Sequence, residues 1–167
     1  MTLVIGIAIG IGLALLGRAL LVRAVLAKLR RDVSRLGTGD YGPLLAGYHD
    51  QAVLHFTEGP HRWSGAHRGR AAIENFLREF TNAGLTGEVK ALWISGWPWS
   101  TQMLVRFYDE AHAPDGERIY ENRTVLWVHS RWGKIIEQRD FYEDTRRIPV
   151  FDQRLRELGV APVADGD

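Results

Sequence analysis

Cysteine is absent from the 167-residue chain, which excludes disulfides, thiol nucleophiles and thiolate-bound zinc. The absence identifies no compartment, since many exported proteins also lack cysteine. Acidic residues are missing from one place in particular. Residues 1–31 hold five basic side chains (Arg18, Arg23, Lys28, Arg30, Arg31) and no Asp or Glu. The remaining residues therefore carry 16 basic and 20 acidic side chains, a net −4 hidden beneath an overall +1. A domain of that sign lacks the positive field that neutralising phosphates requires, so nucleic acid is not an expected partner. Closely spaced metal ligands are lacking as well. His49, His55, His61 and His67 fall six residues apart, which does not fit the common ligand pairs, and no metal or cofactor is expected.

Long apolar runs are also scarce, with one exception at the start. Residues 3–17 (LVIGIAIGIGLALLG) are apolar or glycine throughout. As a helix, fifteen residues reach only about 22 Å against a hydrocarbon core of roughly 30 Å. Extension to Val22 gives a length that spans, with Arg18 near the end where its stem reaches the headgroups. A cleaved signal peptide would have its positive charge before the apolar run, and here the arginines follow it. The expectation is a single-pass membrane helix over 1–23, with the basic flank holding the rest on the cytoplasmic side. Gly6 and Gly10 give a spacing at which two such helices can pack, so a homodimer is one assembly to consider.

Beyond the span, Val25, Leu26, Leu29, Val33 and Leu36 recur at helical spacing, until Gly37 to Gly39 stop the pattern. Asp40 is placed to cap a short helix over 43–49, and 52–56 reads as a strand. Residues 57–69 have no period and read as a loop. An amphipathic helix over 71–82 presents Ile73, Phe76, Leu77 and Phe80 on one face. Four strand-like runs follow, at 88–97, 101–109, 118–129 and 134–142, separated by Pro and Gly turn signals. A short helix over 150–159 and a frayed tail over 160–167 complete the chain. The fold class expected is α+β, with a curved antiparallel sheet wrapped on three helices into a cone with an apolar interior.

Several strings in that order resemble the SnoaL-like branch of the nuclear transport factor 2 superfamily. They are Gly39-Asp40-Tyr41, Leu45 to Phe56 (LAGYHDQAVLHF), Gly69-Arg70 with Ile73 and Phe76, and Gly133-Lys134-Ile135-Ile136 running to Arg139-Asp140-Phe141-Tyr142. The resemblance covers roughly residues 27–147, within a domain drawn over 24–159, and implies the cone-shaped fold. It does not select among isomerase, cyclase, hydrolase and non-catalytic binding roles, all of which this fold hosts. Limonene-epoxide-hydrolase-like members use an arginine between two aspartates. Arg123 and Asp140 look like the arginine and one aspartate, while Val125 falls where the second would be. Steroid-isomerase-like members place a carboxylate near the end of the first strand, where this chain has Phe56, flanked by His55 and Glu58.

Strand geometry proposes a site independently. If 118–129 and 134–142 form a hairpin closed by Ser130 to Gly133, His129 pairs with Lys134 and Arg123 falls opposite Asp140. The two-residue period then gathers Glu121, Arg123, Val125, Trp127, Ile136, Gln138, Asp140 and Tyr142 on one face. On a cavity wall, Asp140 is the acid/base and Arg123 orients it. Tyr142, Gln138, Glu121, Trp127, His55 and Trp63 are the ligand-binding candidates. On an outer face the same pair is an ordinary salt bridge. Two functions remain open: a membrane-anchored domain that binds a small hydrophobic molecule, with or without acid/base catalysis, or a non-catalytic accessory subunit of a membrane complex.

Overall fold

The structure, a computed structural model, describes residues 2–163, with side chains from Leu16 onward. The first helix, α1, runs from Thr2 to Ser34 and passes through a short 3-10 turn at Arg35–Thr38 into α2 (Gly42–Leu45). Strands β1 (Tyr48–His55) and β2 (Ala66–Arg68) precede α3 (Gly69–Asn82). Then come β3 (Leu85–Trp97), β4 (Ser100–His112), β5 (Arg118–Arg131), β6 (Lys134–Tyr142) and α4 (Arg147–Glu157). Six strands form one sheet in the order β2-β1-β6-β5-β4-β3. The α+β architecture matches the sequence pattern. Three details differ from it. β1 begins at Tyr48, inside the expected second helix; β2 lies in the expected loop; and β1 pairs with β6 in parallel.

Most of the expected span at 3–22 lies outside the residues whose side chains are described. Among the described residues, no helix is long and apolar enough to cross a membrane. From Leu16 onward α1 lies along β3, the edge strand. Arg18 Nη2 donates to Ile94 O at 2.9 Å and Arg30 Nε donates to Val89 O at 3.1 Å, so helix and strand run antiparallel.

The concave face of the sheet is covered in two places. Val33 of α1, with Val25, Leu26 and Leu29, packs on Val89, Leu92, Val105 and Phe107. Gly87 permits this packing, because a Cβ there would stand 2.0 Å from the Phe107 ring. A larger cluster joins Ile73, Phe76, Leu77 and Phe80 of α3 to Leu54 and Phe56 near β1, Tyr120 of β5 and Ile148, Phe151 and Leu155 of α4. The apolar positions foreseen for α3 all point inward, as their helical period requires.

The register of β5 and β6 differs from the expected one, and the reason is local. The turn contains two residues, Trp132 and Gly133, both at positive φ (50° and 78°), and Arg131 pairs with Lys134. This is the geometry of a tight two-residue hairpin rather than a four-residue one. A bulge follows: Ser130 pairs with Ile135 but His129 pairs with Glu137, so Ile136 is an extra residue on β6. Asp140 therefore lies opposite Leu126 and not Arg123.

The loop between β1 and β2 is fastened by a buried ion pair. Arg62 Nε meets Asp152 Oδ1 of α4 at 2.6 Å, with side chains 3% and 1% exposed. The same guanidinium donates to Val160 O at 2.9 Å and lies 3.5 Å from Glu79 of α3. Residues 160–163, placed by the sequence in a frayed tail, are thus tied to the domain, also by Asn82 Nδ2 donating to Ala161 O at 3.0 Å; residues 164–167 lie outside the description.

Removing the arginine leaves buried Asp152 with only the exposed Arg156 and leaves Glu79 without a cation among the described residues. Arg62→Met should cost roughly 3–5 kcal/mol in urea unfolding. Arg154→Ala, which breaks only exposed pairs with Glu117 and Glu157, should cost about 1 kcal/mol or less. Equal losses would refute the locking role.

Candidate functional site

Between the two apolar clusters the concave face carries a polar stripe. On β4 the inward row reads Val105, Phe107, Asp109, Ala111, all buried, so a single acid interrupts an apolar row. On β5, Tyr120, Asn122, Thr124 and Val128 are buried while Arg123 and Val125 are exposed. Even-numbered residues therefore face inward there. The bulge at Ile136 brings the even-numbered residues of β6, Gln138, Asp140 and Tyr142, onto the same face. Tyr48 of β1 reaches across to them.

The candidates named from sequence divide accordingly. Gln138, Asp140 and Tyr142 lie together on the concave face. Arg123 is on the convex face, 63% exposed, with Nη1 3.3 Å from Glu143. The expected Arg123–Asp140 pair does not form, because the tight turn and the bulge displace the register by three residues. Glu121 is convex too, held by Arg118 at 3.1 Å and Arg147 at 3.4 Å. Trp127, opposite Leu104 and Arg139, shares that face. His55 points outward to Glu137 at 3.5 Å. Trp63 is a core residue, its ring stacked on Phe151 with centroids 5.7 Å apart. Asp109, Tyr48 and Thr124 were not foreseen. Asp109 had a legible signal: it breaks the alternation begun by Val105 and Phe107. Tyr48 had none, since its string reads as helix.

Two hydrogen-bonded units build the site. Tyr48 Oη donates to Gln138 Oε1 at 2.6 Å, which fixes the amide so that Nε2 donates to Asp140 Oδ1 at 2.8 Å. Tyr142 Oη donates to Asp109 Oδ2 at 3.1 Å. Asp109 Oδ1 and Thr124 Oγ1 are buried without a partner among the described residues. Neither acid has a cation among these partners. Burial pushes the Asp140 carboxyl from 3.8 up to about 7, against the Gln138 hydrogen bond, which lowers it. Burial likewise pushes Asp109 up to about 7; Tyr142 opposes the shift and the nearby Asp140 adds to it. Tyr142 and Tyr48 are raised, chiefly by the same burial, and stay protonated.

A surface concavity of about 410 Å³ does not contain the two acids. It lies between β5 and α4, lined by Arg118, Tyr120, Glu121, Arg147, Val150 and Phe151. Tyr120 links the two places. Its ring stacks on Phe151 with centroids 4.4 Å apart, and its hydroxyl feels the charge of Asp109. Asp109 thus sits behind the wall of this groove.

The sequence matches no protein-family model and no curated protein. Solved structures do match. An NTF2-like protein from Burkholderia xenovorans LB400 is 18% identical with a TM-score of 0.55, over 76% of this chain and 95% of that one. An NTF2-like protein from Anabaena variabilis ATCC 29413 is 17% identical with a TM-score of 0.56, over 72% and 89%. A proposed isomerase from Bacillus subtilis is 18% identical with a TM-score of 0.58, over 81% and 92%. Identities this low speak to fold alone. The fold is NTF2-like, as the sequence resemblance implied.

Both acids bind protons more tightly folded than unfolded, so the folded state holds the extra protons between pH 3.8 and about 7. Stability should therefore fall as pH rises through that window and level off above it. Buried His61 and half-buried His67, whose pKa values are lowered by desolvation, act in the opposite sense below 6.5, so the difference between variants is what is read. Urea unfolding at pH 5 and pH 8 should show that Asp109→Asn/Asp140→Asn gains stability relative to wild type on going to pH 8, by on the order of a few kcal/mol. An unchanged difference would show that neither group is perturbed.

Proposed function

We propose that the domain binds a small hydrophobic molecule on its concave face and moves a proton within it, as an isomerase does. The observation that carries the reading is the pair of acids on one apolar-flanked face, both pushed up to about 7. Near neutral pH one can be a base while the other is a hydrogen-bond donor, which is the division of roles that proton transfer next to a carbonyl needs.

Asp140 is the base. Its Oδ1 is held by Gln138, and Oδ2 makes no hydrogen bond among the described residues. The carboxylate takes a proton from the carbon beside a carbonyl; the protonated acid returns it to another carbon of the resulting enolate. Asp109 in its protonated form donates through Oδ1 to the enolate oxygen, while Tyr142 steadies Oδ2. The Thr124 hydroxyl offers a second donor at the same place. Atoms and electrons balance without a cofactor. Arg123, exposed on the other face, takes no part. Fold neighbours described as proposed isomerases, from Bacillus subtilis and Rhodopseudomonas palustris, lend support of a general kind.

Anchoring belongs to the same reading. The apolar run from residue 3, ahead of the part of α1 that lies along β3, would hold the domain to a membrane on the cytoplasmic side, with lipophilic substrates concentrated nearby. Support comes from the apolar run, the one-sided basic flank and the exposed Leu16, Leu20 and Leu21 of α1. A second reading, a non-catalytic docking subunit or a homodimer, draws on the convex face, where Leu104, Val125 and Phe141 are exposed.

Lipophilic β,γ-unsaturated ketones are the probe that tests the catalytic reading, since migration of the double bond into conjugation is read by ultraviolet absorption. The rate should peak near pH 7, falling below as Asp140 is protonated and above as Asp109 ionises. Asp140→Asn should lower kcat roughly 10²–10⁴-fold, and Asp109→Leu roughly 10²–10³-fold. Absence of turnover, or rates indifferent to both substitutions, would favour the docking reading.

A further inference from the structure

The tips of the β3–β4 and β5–β6 hairpins meet in a group of exposed tryptophans that the proposed chemistry does not use. Trp97 and Trp99 flank Pro98 and lie 67% and 53% exposed, while Trp132 at the other tip is 74% exposed. The rings of Trp97 and Trp99 are parallel, with centroids 5.5 Å apart, and Trp132 is 6.2 Å from Trp99. The Trp132 N–H donates to Pro98 O at 2.7 Å, which ties the tips together. Trp132 holds φ 50°, a left-handed conformation that disfavours a bulky side chain. A core position would explain such a residue; here the ring points into solvent.

Two further observations say what covers it. The first is charge. Arg131 and Lys134 flank the Trp132–Gly133 turn, and Arg18 lies against Ile94, three residues from Trp97. The second is direction. α1 runs antiparallel to β3, with Arg30 at Val89 and Arg18 at Ile94, so going back along α1 leads toward the tip at Trp97. The apolar run 3–17 continues from Arg18 in that direction along the chain.

We infer that the Trp97–Trp99–Trp132 tip rests in the headgroup region of a bilayer containing anionic lipids. Indole rings favour that layer, where the apolar ring is buried and the N–H stays wet. Cations beside them attract anionic headgroups over about a Debye length. The tip and α1 then hold the domain at two points, which fixes its orientation toward the membrane instead of leaving it on a swivel. The inference rests on the anchoring part of the proposed function and is independent of the catalytic part.

The test reconstitutes the full chain into vesicles of phosphatidylcholine and phosphatidylglycerol containing lipids brominated near the headgroup end or near the tail end of the acyl chain. Flotation reports anchoring, and quenching of tryptophan emission reports the tip. Wild type should float and be quenched, more strongly by the shallow bromines. Trp97→Ala/Trp99→Ala/Trp132→Ala should float equally, with its fractional quenching reduced at least twofold, because buried Trp63 and the convex-face Trp93 and Trp127 then supply the emission. Should the triple variant fail to fold, the shallow-over-deep preference of wild type decides alone. A chain that floats but is quenched equally with and without the three rings overturns the inference and leaves anchoring intact. A chain that does not float overturns both. Floating without quenching, with emission that shifts blue as the protein-to-lipid ratio rises, assigns the tip to a second copy and also overturns it.

Discussion

A single extra residue, Ile136, decides which side chains of β6 reach the interior. The tight turn at Trp132–Gly133 would by itself set Asp140 opposite Val125, on the convex face. The bulge moves it opposite Leu126 and onto the concave face, together with Gln138 and Tyr142. A strand has a period of two, so one inserted residue exchanges its faces completely from that point on. Without it Arg139 and Phe141, now outside, would turn toward the core. The two-acid site is a consequence of this bulge.

Burial of Asp140 and Asp109 is costly, and the fold meets the cost by raising both carboxyls to about 7 rather than by pairing them with cations. The cations are spent elsewhere. Arg62 and Arg156 neutralise Asp152, and Arg123, Arg118 and Arg147 work on the convex face or at its margin. The interior therefore holds two acids without a cation among the described residues, beside a loop whose buried acid is paired with arginine. This separation gives a rigid wall and a titratable stripe. Arg62 ties the 57–65 loop, α3, α4 and the chain at 160 into one support behind Tyr120 and Phe151, the wall that stands between the surface groove and Asp109.

Much of this was legible in the sequence for ordinary reasons. The 3.6-residue period of Ile73, Phe76, Leu77 and Phe80 specified α3 and its buried face, and Pro and Gly signals separated the four long strands correctly. Gln138, Asp140 and Tyr142 share a face in the fold as in the sequence, because residues two apart on a strand do so whatever its register. Arg123 was not, because pairing across a hairpin needs the turn length and every bulge, and neither is written in hydrophobic alternation. Trp132 at positive φ is a case in point, since Asn or Gly would have announced the tight turn. β2 escaped because three residues, two of them basic, carry no strand signal. Tyr48 was hidden in a string that reads equally well as helix. Asp109 could have been found, as the one acid in an apolar row.

The proposed chemistry depends on the charge state of the two interior acids. Carbon-13 NMR of the side-chain carboxyls, assigned with Asp109→Asn and Asp140→Asn, follows each through a titration from pH 3 to pH 9. Both should titrate near 7, and removing Asp140 should lower the midpoint of Asp109. Midpoints close to 3.8 for both would mean that water reaches them freely, and neither a titratable stripe nor the acid/base chemistry built on it would survive.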